Sequence, residues 1–147
     1  MENVRIYEMP RCKMVASQCG MFGDGKLERF DEWFSSLPKS MFPRDFLSYD
    51  QEQECFIWYY MFDEGMEVPD EFCIIDFSGG LYAVTTGVDG EDNSEEMEEI
   101  NTFIKEKGCF EKDPSRVELG NIPNPQPAGE VMGYNQMNYY VPIKIKK

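Results

Sequence analysis

The side chains in this sequence with the clearest capacity for binding chemistry are one carboxylate and a group of aromatic rings. Residues 115–120 read Ser-Arg-Val-Glu-Leu-Gly, which predicts a short strand. Alternation along a strand directs Glu118 to the face opposite its apolar neighbours Val117 and Leu119. A carboxylate partly buried among aromatic faces is a strong match for a desolvated cation. In a chain this acidic, the alternative is that Glu118 simply faces water.

Other kinds of site are excluded by residue type. The chain contains no histidine, which removes histidine general bases, histidine-dependent triads and histidine metal ligands. Its five cysteines are widely spaced and form no Cys-x-x-Cys pair, so the sequence predicts neither a zinc site nor a dithiol redox site. We therefore expect no metal, no cofactor, and reduced, mostly buried thiols. The cysteines are Cys12, Cys19, Cys55, Cys73 and Cys109.

The composition describes an acidic chain of the size of one domain. Its 147 residues include 28 acidic and 14 basic side chains, for a net charge of −14. This charge argues against direct contact with nucleic acid, because phosphate binding requires clustered lysine and arginine. The N-terminus has no signal-peptide pattern, and no apolar run reaches membrane length. We expect a single domain over residues 1–147 that is soluble, cytoplasmic and free of membrane contact.

Two amphipathic helices are predicted from the spacing of apolar residues. Those in residues 26–37 recur on one helical face, and Asp24 is the expected N-cap. The second helix begins at Asn93 or Ser94, with glutamates in its first turn, and Gly108 closes it. Each helix therefore has one face to bury against a sheet.

Extended segments flank both helices. The predicted strands are residues 4–7, 13–17, 46–49, 54–62, 72–77 and 81–86, the segment around Glu118, and a last strand centred on residues 139–143. The run at 54–62 is apolar on both faces, so both faces should be covered. Residues 122–133 contain three prolines and are predicted as an irregular connection, while Pro142 indicates an edge or a bulge in the last strand.

The second half of the chain repeats the first at an offset of about 70 residues. The apolar stripes of the two helices coincide, and Pro38 falls on Gly108, so both helices stop at the same place. The fold class predicted is α+β, with duplicated βαββ units, a mostly antiparallel sheet, two main helices and a central groove between pseudo-twofold-related halves. The matching pairs are Leu27 with Met97, Phe30 with Ile100, Trp33 with Phe103 and Phe34 with Ile104.

This ordered pattern resembles the GyrI-like effector-binding domain, which also forms the drug-binding domain of AraC-type and MerR-type transcription regulators. The resemblance covers almost the whole chain, although a helix-turn-helix segment is not visible. It implies an aromatic pocket with a buried acidic residue, here Glu118, that binds lipophilic and often cationic compounds. The resembling segments are Tyr7-Glu8-Met9-Pro10, Met14-Val15-Ala16, Trp33, residues 56–62, residues 72–84, Arg116-Val117-Glu118-Leu119 and Tyr140-Val141-Pro142-Ile143.

The aromatic candidates for this pocket are divided between strands and a helix. Trp58 and Tyr60 share a strand face, and we place them in the groove because each has a polar tip, with a core position as the alternative. Trp33 lies on the helix stripe, which favours the core, and Tyr82 and Tyr140 complete the set.

The acidic candidate Glu118 also has a structural alternative. Lys13 or Arg116 could pair with Glu118 and neutralise it, which would make the acid structural.

Three functions compete at this point. The first is reversible binding of a small molecule, alone or beside a DNA-binding domain of a regulator. The second is hydrolysis of strained electrophiles, with Glu118 positioning a water molecule and Tyr60 or Tyr140 acting as the acid. The third is a protein-binding inhibitor, for instance of DNA gyrase, whose acidic surface imitates DNA. We favour the first, a binding module rather than an enzyme.

Overall fold

The computed structural model describes residues 3–147 and has an α+β architecture, as predicted. The strands are β1 (Arg5–Met9), β2 (Cys12–Ala16), β3 (Asp45–Asp50), β4 (Cys55–Met61), β5 (Cys73–Phe77), β6 (Gly80–Val88), β7 (Phe110–Lys112), β8 (Leu119–Asn121) and β9 (Gln136–Ile145). The helices are α1 (Lys26–Ser35), α2 (Ser94–Lys107) and α3 (Gln126–Met132). No helix in residues 3–147 is both long enough and apolar enough to cross a membrane.

The chain divides into two compact units. The first unit is Arg11–Ser78, and the second unit combines the residues up to Pro10 with Gly79–Lys147. Each unit contains one long helix and several strands that neighbour one another antiparallel.

The first unit places α1 on a sheet in the order β3-β4-β2-β5. Val15 of β2 lies opposite Tyr60 of β4, so the two side chains share a sheet face. Both belong to one buried cluster with Phe30 of α1 and with Phe72. The amphipathic spacing of α1 therefore buries its aromatic stripe against this face.

The second unit places α2 on a sheet in the order β1-β6-β9-β8, with β7 also pairing with β9. Ala83 of β6 lies opposite Val141 of β9, and both belong to a buried cluster with Ile100 of α2 and Ile143 of β9. This cluster is aliphatic where that of the first unit is aromatic.

The duplication predicted from the sequence is present in the pairing pattern. In the run β2-α1-β3-β4, strand β4 pairs with β2 and with β3. The elements β6, α2, β8 and β9 repeat this pattern, with β7 and α3 inserted among them in the chain, since β9 pairs with β6 and with β8. Each βαββ unit gains one further strand, β5 on β2 and β1 on β6. The offset matches Phe30 with Ile100, and both are buried helix residues.

Several local details differ from the prediction. The N-cap of α1 is Gly25 rather than Asp24, although Asp24 does accept hydrogen bonds from two backbone N–H groups beside the helix start. In the second helix the cap is Asn93, and Gly108 ends it with a φ of 69°, as expected of a glycine in the left-handed region. The glycine signal was therefore more reliable than the acidic one.

The region after α2 contains two elements that the sequence did not reveal. Strand β7 pairs with β9, and α3 lies inside the stretch predicted as irregular. Its Pro127 sits in the first turn, where a helix does not require the missing N–H. Pro142 is not on an edge: β9 pairs with β6 on one side, and Pro142 falls between the residues that pair with β8 and those that pair with β7.

The cysteines also differ from the expectation of reduced, mostly buried thiols. Cys19 and Cys55 form a disulfide, with their Cα atoms 5.6 Å apart. Of the remaining thiols, Cys73 and Cys109 are exposed and Cys12 is half-buried. The disulfide is explained by a backbone bridge between the following residues, Gly20 and Phe56, that the sequence alone could not reveal.

Candidate functional site

Trp58 and Tyr60 lie on the face of β4 that packs against α1, and both contribute to the cluster around Phe30. The ring centroid of Phe34 is 5.1 Å from that of Trp58 and 5.4 Å from that of Tyr60. Trp33 belongs to the same cluster, with its ring centroid 5.9 Å from that of Tyr60. Three of the candidate residues are therefore brought together.

Their orientation corrects the sequence-based preference, which gave Trp58 and Tyr60 an open groove position. They face the helix, as the alternative interpretation had it, and Trp33 is packed there as expected. The reason is that β4 is apolar on both faces, so its own periodicity does not select one. Packing against the aromatic stripe of α1 determines that the face of β4 with Trp58 and Tyr60 is the covered one.

The cluster reaches solvent along one side. The ring centroid of Phe22 is 5.5 Å from that of Phe56 and 5.9 Å from that of Trp58, and 53% of Phe22 is exposed. Tyr49 packs on Phe56 at 5.0 Å and is 49% exposed. We call Phe22, Tyr49, Phe56 and Trp58 the aromatic edge.

Phe22 is presented by a short loop that is anchored on its N-terminal side. Gly20 and Phe56 exchange two backbone hydrogen bonds, of 3.0 and 2.8 Å. The disulfide between Cys19 and Cys55 lies immediately beside them. The loop is thereby fixed to the start of β4, the strand that contains Phe56 and Trp58 of the aromatic edge.

The other side of the loop is held by carboxylates. Asp24 accepts hydrogen bonds of 2.9 Å from the backbone N–H groups of Met21 and Lys26. The bond from Met21, and then that from Lys26, lowers the pKa of the Asp24 carboxyl. Glu28 accepts a bond of 2.9 Å from the N–H of Gly25. Between these anchors, Phe22 extends from the loop towards the cluster.

Asp45 is the carboxylate that lies against the aromatic cluster. Its Oδ2 accepts a hydrogen bond of 3.0 Å from Nε1 of Trp58. Its position opposite Tyr60 in the β3–β4 ladder places it on the same sheet face. Burial raises the pKa of the Asp45 carboxyl, the bond from Trp58 lowers it, and the charge of Asp31 raises it further. Ionisation of Asp45 is therefore less favourable than that of a carboxyl in water.

Sequence reasoning missed Asp45 because the predicted strand began one residue later, at Phe46. A usable signal was present, since alternation from Tyr49 back through Leu47 reaches Asp45. The ladder confirms this face, with Leu47 opposite Trp58 and Tyr49 opposite Phe56.

Glu118 is placed differently from the expectation. It is exposed and precedes β8, which begins at Leu119, so the predicted strand over 115–120 forms only at its end. The expected neutralising partners pair elsewhere: Arg116 with Asp113 at 2.9 Å, and Lys13 with an exposed carboxylate of β5 at 3.0 Å. Glu118 is a solvent-facing acid in this structure.

Tyr82 and Tyr140 lie in the second unit, where both are buried. Their ring centroids are 6.3 Å apart, and the Tyr140 hydroxyl donates a hydrogen bond of 2.9 Å to Oδ1 of Asn121. Burial raises the pKa of Tyr140. The guanidinium of Arg116 lies 4.9 Å from the Tyr82 ring centroid. Both rings therefore form part of an ordered, polar-tipped interior.

Metal chemistry has no support in the described residues. Within residues 3–147, no group of three or more cysteine and acidic side chains is arranged to hold a metal ion. The first unit offers a set of aromatic faces with one half-buried acid, Asp45, and one side that faces solvent. Such a set suits an apolar ligand that carries positive charge.

Comparison with known proteins gives a result for the fold. No protein-family model matches the sequence, and a comparison with curated proteins finds no match either. Among solved structures, a hydrolase from Listeria innocua matches with a TM-score of 0.67 and 8% identity, over 97% of this chain and 93% of that one. SAV2435 bound to tetraphenylphosphonium matches with a TM-score of 0.60 and 12% identity, over 98% and 94%.

A third match is a protein solved in complex with DNA. EcmrR in its complex with DNA has a TM-score of 0.67 at 7% identity, and the likeness covers 96% of this chain but 57% of the EcmrR chain. At these identities the likeness establishes the fold. It is the GyrI-like fold that the sequence predicted, shared over nearly the full length of this chain.

Proposed function

We propose that this protein binds lipophilic, often cationic small molecules, as a stand-alone or regulator-derived effector-binding module. The observation that carries the proposal is the aromatic cluster of the first unit, which combines Trp33, Trp58 and Tyr60 with the acid Asp45 and reaches solvent at Phe22. A cation over an indole or phenol face gains about 0.5–2 kcal/mol. The net charge of −14 further favours cations over anions.

In the second unit, considered by itself, Tyr82, Tyr140 and Glu118 remain proposed ligand contacts. Tyr82 and Tyr140 are buried, and Glu118 is an acid accessible from solvent. Because Glu118 is exposed, we assign it an accessory electrostatic role rather than that of a buried counter-charge. Asp45, which is half-buried, is the acid of the proposal that lies against the aromatic cluster.

The comparisons support this choice of ligand. SAV2435 has the same fold and is bound to tetraphenylphosphonium, an aromatic cation. EcmrR has the fold within a longer chain that is in a complex with DNA. We propose that this module acts with a DNA-binding domain, without contacting nucleic acid itself. The structures described above give no support to gyrase as a partner.

Titration of the intrinsic tryptophan fluorescence with tetraphenylphosphonium tests the proposal. Triphenylphosphine oxide serves as a neutral aromatic control. We expect saturable quenching by the cation, weaker quenching by the neutral compound, and recovery of the ligand intact by mass spectrometry. Absence of saturable binding of both compounds would contradict the proposal.

A hydrolytic function is the second candidate, and one specific observation favours it. The Listeria innocua protein with this fold is described as a hydrolase. In this chain Glu118 would position a water molecule and Tyr140 or Tyr60 would supply the acid. Incubation with a strained electrophile, such as an aryl epoxide, distinguishes the two functions. Enzyme-dependent gain of one water, lost in Glu118→Gln, would replace the binding proposal with this one.

A further inference from the structure

We propose that Cys19 and Cys55 form a reversible thiol–disulfide site, in which Cys19 exchanges with a small thiol and Cys55 closes the bond again. The reaction partner belongs to the class of low-molecular-weight thiols and their disulfides, of which glutathione is an example. This inference goes beyond the proposed function, because it concerns a covalent reaction of the first unit and not the binding of an effector.

The two cysteines of this bond differ in their access to solvent. Cys55 is the first residue of β4 and is 7% exposed, whereas Cys19 is half-buried. A thiolate opens a disulfide by attacking one of its two sulfurs, and it reaches the more accessible one. Attack therefore falls on the sulfur of Cys19, and Cys55 is the leaving thiol.

The exchange conserves atoms and electrons. The incoming thiolate forms a bond to the Cys19 sulfur, the bond to Cys55 breaks, and the Cys55 thiolate takes a proton from water. Closure is the reverse reaction, in which the Cys55 thiolate attacks the same Cys19 sulfur and releases the small thiol. When both cysteines start as thiols, their two-electron oxidation reduces one glutathione disulfide to two molecules of glutathione.

Two sets of hydrogen bonds hold the segment of Cys19 against β4 without help from the sulfurs. Gly20 and Phe56 exchange backbone bonds of 3.0 and 2.8 Å. The backbone N–H of Ser17 donates to the carbonyl of Trp58 at 2.8 Å, and Oγ of Ser17 accepts a bond of 2.9 Å from the backbone N–H of Trp58. Cys19 lies between these two contacts. The Cα atoms of the two cysteines are 5.6 Å apart, within the range that a disulfide spans.

The loop that follows Cys19 is also held by side chains. Asp24 accepts a hydrogen bond from the N–H of Met21, and Glu28 accepts one of 2.8 Å from the N–H of Gly23. Opening of the disulfide therefore leaves the segment in place, with the two sulfurs still close together. Closure is then an intramolecular step, at an effective concentration far above that of a small thiol in solution.

The thiols outside this bond provide a contrast. Cys73 and Cys109 are exposed and free, and among the described residues neither is paired with another cysteine. A mixed disulfide on such a cysteine persists until a second small thiol removes it. We therefore expect a mixed disulfide to be lasting on Cys109 and short-lived on Cys19.

Trapping of the mixed disulfide tests the roles of the two sulfurs. Reduced wild type, Cys55→Ser and Cys19→Ser are mixed with glutathione disulfide, quenched in acid and mapped by mass spectrometry. Glutathione should accumulate on Cys19 of Cys55→Ser, and about tenfold more slowly on Cys55 of Cys19→Ser, because that thiol is buried. In wild type the two cysteines should be recovered as their disulfide, with Cys109 as the internal reference for an exposed thiol.

The equilibrium with glutathione tests the contribution of the backbone contacts and requires no variant. The ratio of disulfide to dithiol in wild type is measured across glutathione buffers, once for the folded protein and once in concentrated urea. The equilibrium constant for closure should be about 300-fold larger in the folded protein, because only the fold keeps the two cysteines adjacent.

Each outcome decides one part of the inference. Reaction of Cys55 as fast as that of Cys19 would overturn the assignment of Cys19 as the exchanging sulfur. A mixed disulfide that persists on Cys19 of folded wild type would overturn the role of Cys55 in closure, and equal equilibrium constants with and without urea would overturn the site as a whole. Circular dichroism establishes that the two variants, which lack the same bond, are equally folded. An effector takes part in neither measurement, so the proposed function is tested separately.

Discussion

The two βαββ units of this protein have the same pairing pattern and different interiors. At the contact between helix and sheet, the first unit has Phe30 above the pair Val15 and Tyr60. The second unit has Ile100 above the pair Ala83 and Val141. Phe30 and Ile100 are both buried and occupy equivalent helix positions. The fold can therefore be built on an aliphatic interior.

This difference makes the second unit an internal control for the first. Because Ala83, Ile100 and Val141 suffice to pack a helix on the same strand arrangement, the topology does not require the aromatic rings of the first unit. Those rings contribute contact area, but their type is explained better by the requirements of a ligand than by the requirements of folding. The comparison between the two units therefore supports a proposed ligand site in the first unit by an argument that uses this one chain and no related sequences.

The two interiors also end differently. In the second unit Phe110 stacks on Phe103 at 6.4 Å, and both belong to or border the part of the unit packed with α2. In the first unit the corresponding rings continue to the exposed side chains of Phe22 and Tyr49. The interior of the first unit therefore extends into rings that are about half exposed.

The largest expected effect comes from truncating the two equivalent helix residues. Phe30→Ala should lower the free energy of unfolding by about 3–5 kcal/mol and Ile100→Ala by about 2–5 kcal/mol, because each leaves a cavity in a packed interior. Urea denaturation measures both. Only Phe30→Ala should also reduce binding of tetraphenylphosphonium by the folded protein. Equal loss of binding in the two variants would contradict the proposal that the first unit carries the ligand.

The next effect tests the covalent bond of the first unit, for which the described residues of the second unit have no counterpart. Cys19→Ser opens a disulfide between residues separated by 36 positions. Closing a loop of that length is worth about 3–4 kcal/mol in the chain-entropy account. The stability difference between wild type and Cys19→Ser should disappear when a dithiol reductant is added.

Two further measurements accompany that variant. Cys109→Ser, at an exposed free thiol, should change the unfolding free energy by no more than about 0.5 kcal/mol. Thiol titration of the unreduced, denatured protein should find three reactive cysteines, Cys12, Cys73 and Cys109. Five reactive thiols without reductant would show that the first unit has no such bond.

The second unit is stabilised by the guanidinium group of Arg116, which contacts several backbone carbonyls. Arg116 donates hydrogen bonds to the backbone carbonyls of Gly79, Leu81 and Ile143 and pairs with Asp113. Lysine has no planar fork that can serve several strands at once. Arg116→Lys should therefore lower the unfolding free energy by about 1–3 kcal/mol, as expected for the loss of hydrogen bonds from a charged donor.

The matched control for Arg116→Lys is Arg11→Lys, at an exposed arginine. It should change stability by no more than about 0.5 kcal/mol. Thermal unfolding followed by circular dichroism compares the two substitutions. If Arg11→Lys destabilises as much as Arg116→Lys, the contribution of Arg116 is not specific to its carbonyl contacts.

Helices, most strands and the duplication could be predicted because their signals are local. The apolar stripe of α1 appears at helical spacing in the sequence, and Gly108 ends α2 by a conformation that favours glycine. The duplication could be predicted because both helices have the same apolar stripe and both predicted helices end at equivalent positions, Pro38 and Gly108. Resemblance to a family added the expected sheet and helix arrangement, which the structure confirms.

The parts that were not predictable depend on contacts between distant residues. Residues before β8 are held in a turn by Asp113 and Arg116, so Glu118 does not extend as a strand. The face that Trp58 presents is decided by α1, and the partner of Cys19 by the backbone bridge beside it. Asp45 was missed because the predicted strand began one residue too late, which left this candidate residue outside the strand.

The smallest expected effects contrast one half-buried acid of each unit, Asp45 and Asp113, whose pKa values are shifted in opposite directions. Hydrogen bonds from Ser115, and then from Arg116, lower the pKa of Asp113 to about 2. Its contribution to stability is therefore fully present above the unfolded-state value, about 3.9, and is lost as the pH falls from about 4 to 2. Burial raises the pKa of Asp45, so its ionisation destabilises the fold at neutral pH, and acidification through that raised pKa restores stability.

Urea denaturation at several pH values should find Asp113→Asn less stable than wild type at pH 7, with the difference shrinking towards pH 2. Asp45→Asn should be more stable than wild type at pH 7, and this gain should shrink as acid protonates the wild-type carboxyl. If both substitutions shift stability in the same direction at pH 7, the two acids are not opposed.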